Sequence, residues 1–184
     1  MKKLLILDFV IFGLATIIID TILAQQVLFG ITLYVSIALP ILFIMYIRWG
    51  YYAIIMNVLF SLLHMIIFKS PWLVNVLHGL SLLIMISSLA VIKFKAFNQR
   101  YIKFGYILLA YLSLYSLVFL VEYGLLKLFG DIEFVSLLVS QSLNVVAGLL
   151  ILTIMYFQKD LIVNMKLYLK RESQKNIKDD GYGL

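Results

Sequence analysis

The chain has 184 residues, of which 64% are hydrophobic and 13% charged, with a mean hydropathy of +1.08. Soluble domains run near half apolar and a quarter charged, so these proportions exclude a soluble globular enzyme. There is no Cys, which excludes disulfides, thiolate metal sites and cysteine nucleophiles, and two His with nine acids leave little material for a metal centre.

A helix needs about 20 mostly apolar residues to cross a bilayer. Six such runs follow one another along the chain, at residues 4–23, 27–47, 51–68, 73–92, 104–125 and 134–157. Short polar breaks separate them: Gln25-Gln26, Arg48-Trp49-Gly50, Lys69-Ser70-Pro71-Trp72, a longer loop from Lys93 to Lys103, and the stretch from Lys127 to Glu133. A β-barrel would require alternating segments of roughly ten residues, and these runs do not alternate. The expected fold is therefore all-α, a polytopic bundle of six transmembrane helices over residues 1–157. Pro40 is placed to kink the second of them. The opening MKKLL imitates a secretory leader, but Asp8 interrupts its apolar region and Ile22 occupies the position where cleavage after Ala24 would need a small residue. The first run is read as a retained span.

Lys and Arg set the orientation. Counting alternate sides, 13 of the 15 basic residues fall on one side, and only Lys69 and Lys127 on the other. Both termini are expected in the cytoplasm, with the protein a multi-pass component of the cell membrane. The same asymmetry and contact with anionic lipid account for the net charge of +6, so no nucleic-acid partner is implied. Trp49, Tyr51, Tyr52, Tyr101, Tyr106 and Tyr156 fit an inner aromatic belt, and Trp72 an outer one. Residues 158–184 form a basic tail. Leu161, Ile162, Met165, Tyr168 and Leu169 recur there at helical spacing, which suits either a short amphipathic helix on the inner leaflet or an extension of the sixth span.

Charged groups deep in a membrane helix cost about 2.5–3.5 kcal/mol on insertion scales, so each calls for an account. Depth counting puts most of them toward the outer side. Asp20 closes the first span. His64 lies ~6 Å below the outer end of the third, Asn75 and His78 lie in the outer half of the fourth, and Glu122 closes the fifth. Gln141 and Asn144 lie roughly 10–15 Å into the sixth. Asn75 with His78, and Gln141 with Asn144, are three apart and share a helix face; Ala147 and Gly148 continue the second stripe as a narrow surface for close helix approach. These seven residues are the candidate ligand-binding set, an outward-opening polar pocket in which the amides supply neutral donors and acceptors and Asp20, Glu122, His64 and His78 supply charge. The structural alternative is a set of interhelical hydrogen bonds worth about 0.6 kcal/mol each.

Catalytic signatures are missing. There is no HExxH helix, no GxSxG turn and no glycine-rich phosphate loop, and no cofactor or metal is expected. A His-plus-Asp site assembled from separate helices, as in intramembrane hydrolases, is the enzymatic alternative. Six hydrophobic helices in a short chain, both termini inside and polar groups gathered outward, resemble the substrate-binding S component of energy-coupling-factor (ECF) vitamin transporters. That resemblance implies a membrane subunit that captures a small vitamin-like molecule in the outer polar cluster, then docks on a shared T subunit and two ATPases. A second resemblance, carried by the Arg48-Trp49-Gly50 turn and the basic tail, is to the rod-shape-determining membrane protein MreD, and implies a scaffold with cell-wall partners and no small-molecule ligand. The tail pattern Asp160-Leu161, Lys166, Tyr168-Leu169 and Arg171 is similar to that of uncharacterised small membrane proteins of Gram-positive bacteria.

Overall fold

Backbone polar groups surrounded by hydrocarbon must bond within the chain, and the apolar runs accordingly fold as helices. The computed structural model describes residues 2–23, 27–28, 31–32, 35–67, 71–98, 102–129, 133–158, 161–165, 167–169 and 174. In chain order these form α1 (Lys2–Leu23), a minimal antiparallel hairpin of β1 (Val27–Leu28) and β2 (Ile31–Thr32), α2 (Ala38–Trp49) and α3 (Ala53–Ile67). There follow α4 (Trp72–Leu82), a 3-10 stretch over Leu83–Ser87, α5 (Ser88–Val91), α6 (Phe104–Phe129) and α7 (Phe134–Phe157). The Gln25-Gln26 break, Lys69, Arg100, Tyr101 and all six basic residues of the tail lie outside the described residues.

Five helical stretches are long and apolar enough to cross a membrane: Lys3–Leu23, Ala38–Ile67, Trp72–Val91, Phe104–Phe129 and Phe134–Phe157. The second of these is not one rod. In a straight helix Tyr46 and Asn57 would stand ~16 Å apart, yet the Asn57 amide donates to the Tyr46 hydroxyl at 2.9 Å. Ser36 and His64, which a straight helix would separate by ~42 Å, meet at 3.0 Å. The chain reverses at Gly50, whose φ of 57° lies in the region open to glycine without a Cβ penalty. Thus α2 and α3 are the antiparallel arms of one helical hairpin.

The expected helix over 27–47 begins only at Ala38, and Pro40 is the reason. Proline lacks the N–H that a helix interior needs and clashes with the preceding turn, but is tolerated in the first turn, where that N–H has no intrahelical partner. The helix therefore starts two residues before it. What remains is short, ~18 Å at 1.5 Å per residue, and all twelve of its residues are buried. α2 packs against α1, α3, α6 and α7, so it is the hub of the bundle, apolar nearly all round as an enclosed helix is, with the buried Arg48 confined to its last turn. The outer helices turn their large side chains outward: Ile6, Ile18, Leu59, Ile66, Leu109, Leu120, Val135 and Leu150 are all exposed.

Two glycines allow close approach. A Cβ on Gly79 would come within 2.5 Å of the Ser61 carbonyl, so its absence brings α4 against α3. A Cβ on Gly148 would overlap the Tyr111 hydroxyl, so α7 can rest on α6 there. At one end of the bundle Arg48 Nη2 pairs with Asp8 at 2.7 Å, and the Trp49 indole N–H donates to the same carboxylate oxygen at 2.7 Å. Trp49 is fully buried, so it is no belt residue, whereas Tyr51, Tyr52 and Tyr106 are exposed near that end and Trp72 is exposed at the start of α4. The tail does not continue α7. It turns after Gln158, buries Ile162, and offers the Leu161 carbonyl to Arg48 Nη1 at 2.8 Å, before a helical turn that Asn164 caps through the Leu167 N–H.

Candidate functional site

Starting α2 inside the bundle creates a problem of hydrogen bonding. The first N–H groups of a helix have no intrahelical partner, and none can be left bare in an apolar interior without cost. Side chains from distant elements supply the acceptors. The Ser36 N–H donates to Asn144 Oδ1 at 2.7 Å, and the Ile37 N–H donates to Asp20 Oδ1 at 2.7 Å. The Ala38 N–H donates to Ser36 Oγ at 3.0 Å. Asn144 comes from α7 and Asp20 from α1, so the N-terminus of α2 is capped in trans by two helices. Asp20 also sits where the partial positive charge of the α2 dipole falls, which favours a carboxylate.

His64 completes this corner from α3. Its Nε2 lies 3.0 Å from both Asp20 Oδ2 and Ser36 Oγ, and its Nδ1 lies 2.8 Å from the Phe60 carbonyl. Ser36 Oγ in turn donates to Asp20 Oδ2 at 2.7 Å. A second histidine–acid pair adjoins it. His78 Nδ1 of α4 is 2.9 Å from Glu122 Oε1 of α6, and the two imidazole rings are 5.7 Å apart between centroids. That proximity follows from the close α3–α4 packing at Gly79.

Gln141 and Ser81 also face the Glu122 carboxyl. The Tyr115 hydroxyl donates to the Gln141 main-chain and side-chain oxygens at 3.1 and 3.2 Å. Glu122 Oε2, Gln141 Nε2 and the Tyr111 hydroxyl are buried without a hydrogen-bond partner among the described residues. Such groups are costly in a low-dielectric interior.

All seven sequence-designated residues are therefore buried, none more than 5% exposed. Asp20, His64 and Asn144 meet around Ser36; His78 and Glu122 pair beside them; Gln141 bridges toward Tyr115; Asn75 is buried on α4 one turn from His78. These side chains bond largely to one another. An apolar groove of about 580 Å³ between α6 and α7, lined by Leu112, Phe119, Leu138 and Val145, meets the cluster at Tyr115 and Gln141. Among the described residues no group of three or more His, Asp or Glu is arranged to hold a metal ion.

Sequence reasoning missed Ser36 and Tyr115. Ser36 carried a usable signal, because Pro40 marks a first helical turn and a Ser just before such a turn is a capping candidate. Tyr115, in mid-helix among aromatic residues, carried none.

No protein-family model, no curated protein and no solved structure matches this chain.

Proposed function

We propose that the chain is a membrane-embedded binding subunit of a small-molecule uptake system, taking its ligand from the outer side into the Asp20–His64–His78–Glu122–Asn144 cluster. One observation carries the reading: a helix N-terminus buried within the bundle is met by polar side chains from three other helices. Membrane transporters bind substrates and coupling ions at such interrupted helices, because a helix end offers unsatisfied polar groups where the rest of the membrane interior offers none. Five helices contribute, so the entry of a ligand between them would be felt across the bundle. The subunit performs no chemistry itself and depends on separate energising proteins.

In this reading the chain crosses the plasma membrane six times, α2 and α3 being counted separately, with both termini in the cytoplasm. The 13-to-2 partition of basic residues and the reversal at Gly50 support it. Cysteine scanning in the Cys-free background is the check. An impermeant external reagent should label a cysteine at Ser70 and spare one at Asn98; the reverse pattern overturns the orientation.

A second reading, a membrane scaffold with cell-wall partners, draws on the mutual bonding of the cluster. The two separate by experiment. Protein extracted from its native membrane in mild detergent should retain a small molecule detectable by mass spectrometry, and His78→Leu or Asn144→Leu should abolish retention while the protein stays folded. Co-purification with cell-wall proteins, no retained molecule, and a cell-shape defect on deletion would overturn the binding reading.

A further inference from the structure

The triangle of Asp20 Oδ2, Ser36 Oγ and His64 Nε2 is constrained by its supply of hydrogens. Its edges are 2.7 Å for Ser36–Asp20 and 3.0 Å for both His64–Ser36 and His64–Asp20. His64 Nδ1 faces a main-chain carbonyl, which only accepts, so Nδ1 must bear a hydrogen. In a neutral imidazole Nε2 would then carry a lone pair. Ser36 has a single hydroxyl hydrogen and a lone pair already used by the Ala38 N–H. With that hydrogen on one edge, the His64–Asp20 edge would bring two lone pairs face to face at 3.0 Å. One further proton, on Nε2 or on Oδ2, turns that repulsion into a charge-assisted hydrogen bond.

We propose that the Asp20–His64 edge is a proton-binding site, and that the proton it holds keeps the buried N-terminus of α2 seated. The proton is taken from water and returned to it, with no change elsewhere in the covalent structure. When it is absent, the edge carries net negative charge in a water-poor interior, and the Asp20 carboxylate is repelled by His64 Nε2. Asp20 is also the acceptor of the Ile37 N–H, so any shift of its carboxyl uncaps α2. A proton at this one position is thereby coupled to the fit of the central helix.

The surrounding groups are consistent with a single exchangeable charge. Among the described residues, the other titratable groups facing the corner are His78 from α4 and Glu122 and Tyr115 from α6. The α2 and α7 elements contribute only neutral groups, Ser36, Gln141 and Asn144. The His78–Glu122 pair is self-compensating, so it neither supplies nor replaces the missing positive charge beside Asp20. The proton site does not depend on capture of a small molecule.

The test uses the full-length protein in phosphatidylcholine nanodiscs at about pH 8, where a free imidazole is neutral. Histidine-selective nitrogen labelling, with His78 assigned from His78→Asn, reports the protonation of His64. Infrared difference spectra against Asp20→Asn report the carboxyl. A doubly protonated His64, or a protonated Asp20, supports the site. A neutral His64 beside an ionised Asp20 in folded protein overturns it.

Hydrogen exchange provides the coupling readout. After correction for its intrinsic pH dependence, amide protection at residues 36–38 should fall as pH rises in the wild type. In His64→Gln, whose amide can donate to Asp20 without titrating, it should stay constant. An equal pH-dependent loss in that variant overturns the coupling. If His64→Gln does not fold, the spectra and the wild-type exchange profile decide alone, and constant wild-type protection counts against the proposal.

Discussion

Asp8 and Arg48 join α1 to the hub helix at the end of the bundle opposite the polar cluster, and their separation should be costly. Arg48 Nε donates to Asp8 Oδ2 at 2.8 Å, Nη2 forms an ion pair with the same oxygen at 2.7 Å, and the side chains are 6% and 15% exposed. Breaking a buried ion pair from one side costs about 3–5 kcal/mol, mostly because the surviving charge is stranded. Partial exposure of Asp8 argues for the lower end, and the Leu161 carbonyl still receives one Arg48 N–H. Asp8→Leu is therefore expected to cost about 3 kcal/mol, including the Trp49 indole N–H left without its acceptor. Arg48→Met should cost about 2–3 kcal/mol. The double variant removes both charges and leaves the Trp49 N–H and the Leu161 carbonyl without these partners, a penalty of about 1–3 kcal/mol. The cycle, measured by reversible denaturant titration in mixed micelles with tryptophan fluorescence, should give a coupling of at least about 2 kcal/mol. Additivity within about 0.5 kcal/mol would refute the stranded-charge argument.

Other outcomes follow from the same structure. Tyr111→Phe removes a buried hydroxyl that has no partner among the described residues, so it should be neutral or stabilising by up to about 1 kcal/mol; a loss larger than that would show that the hydroxyl is bonded. Gly148→Ala should cost about 1–3 kcal/mol by overpacking, and adding Tyr111→Phe should recover only part of it, because the ring carbon that bears the hydroxyl, 2.7 Å from the added Cβ, remains. Gly79→Ala should cost a similar amount with no such rescue, since its neighbour is the Ser61 main-chain carbonyl, which cannot turn away; rescue by trimming Met65 alone would contradict this. Ending the chain after Gln158 removes the Leu161 acceptor and the buried Ile162, and the same titration should register a loss of about 2–4 kcal/mol.

The apolar runs were legible because unbroken hydrophobicity over about twenty residues is the length a bilayer demands and more than a soluble core helix needs. α6 and α7 begin at residues the sequence marks, after Lys103 and Glu133. The second run misled because hydropathy counts side chains and ignores the backbone. Pro40 leaves the local mean high while forbidding a helix interior, so 27–37 reads as part of a span, whereas its described residues, 27–28, 31–32 and 35–37, are not helical. Depth counting set His64, Asn75, His78, Gln141 and Asn144 at overlapping levels, and in the structure the His64 and His78 rings lie 5.7 Å apart. It gave no access to packing. Whether polar groups enclose a space or bond to one another depends on side chains such as Ser36 and Tyr115, whose contacts lie 28 and 26 residues away in sequence. Trp49 failed for a related reason: its position beside a basic turn fits a belt, but the indole faces inward because Asp8, 41 residues earlier, offers an acceptor.

The short central helix ties these features together. A full-length helix at the centre would satisfy its own backbone and need no polar neighbours at depth, so Asp20 and Asn144 would be a burden without a function there. Beginning α2 at Ala38 reverses that balance: three N–H groups now need acceptors, and removing any one acceptor leaves a buried donor at a cost of about 1–3 kcal/mol. Neutral side chains would suffice for this, as Asn144 demonstrates at Ser36. A carboxylate at Asp20 exceeds the structural need, and His64 meets it at 3.0 Å. The second acid, Glu122, caps no helix start and is met by His78 in the same way. Two carboxylate–histidine pairs thus stand where two amides would hold the fold, and it is this excess over the structural need that the proposed proton site and the proposed binding role both draw on.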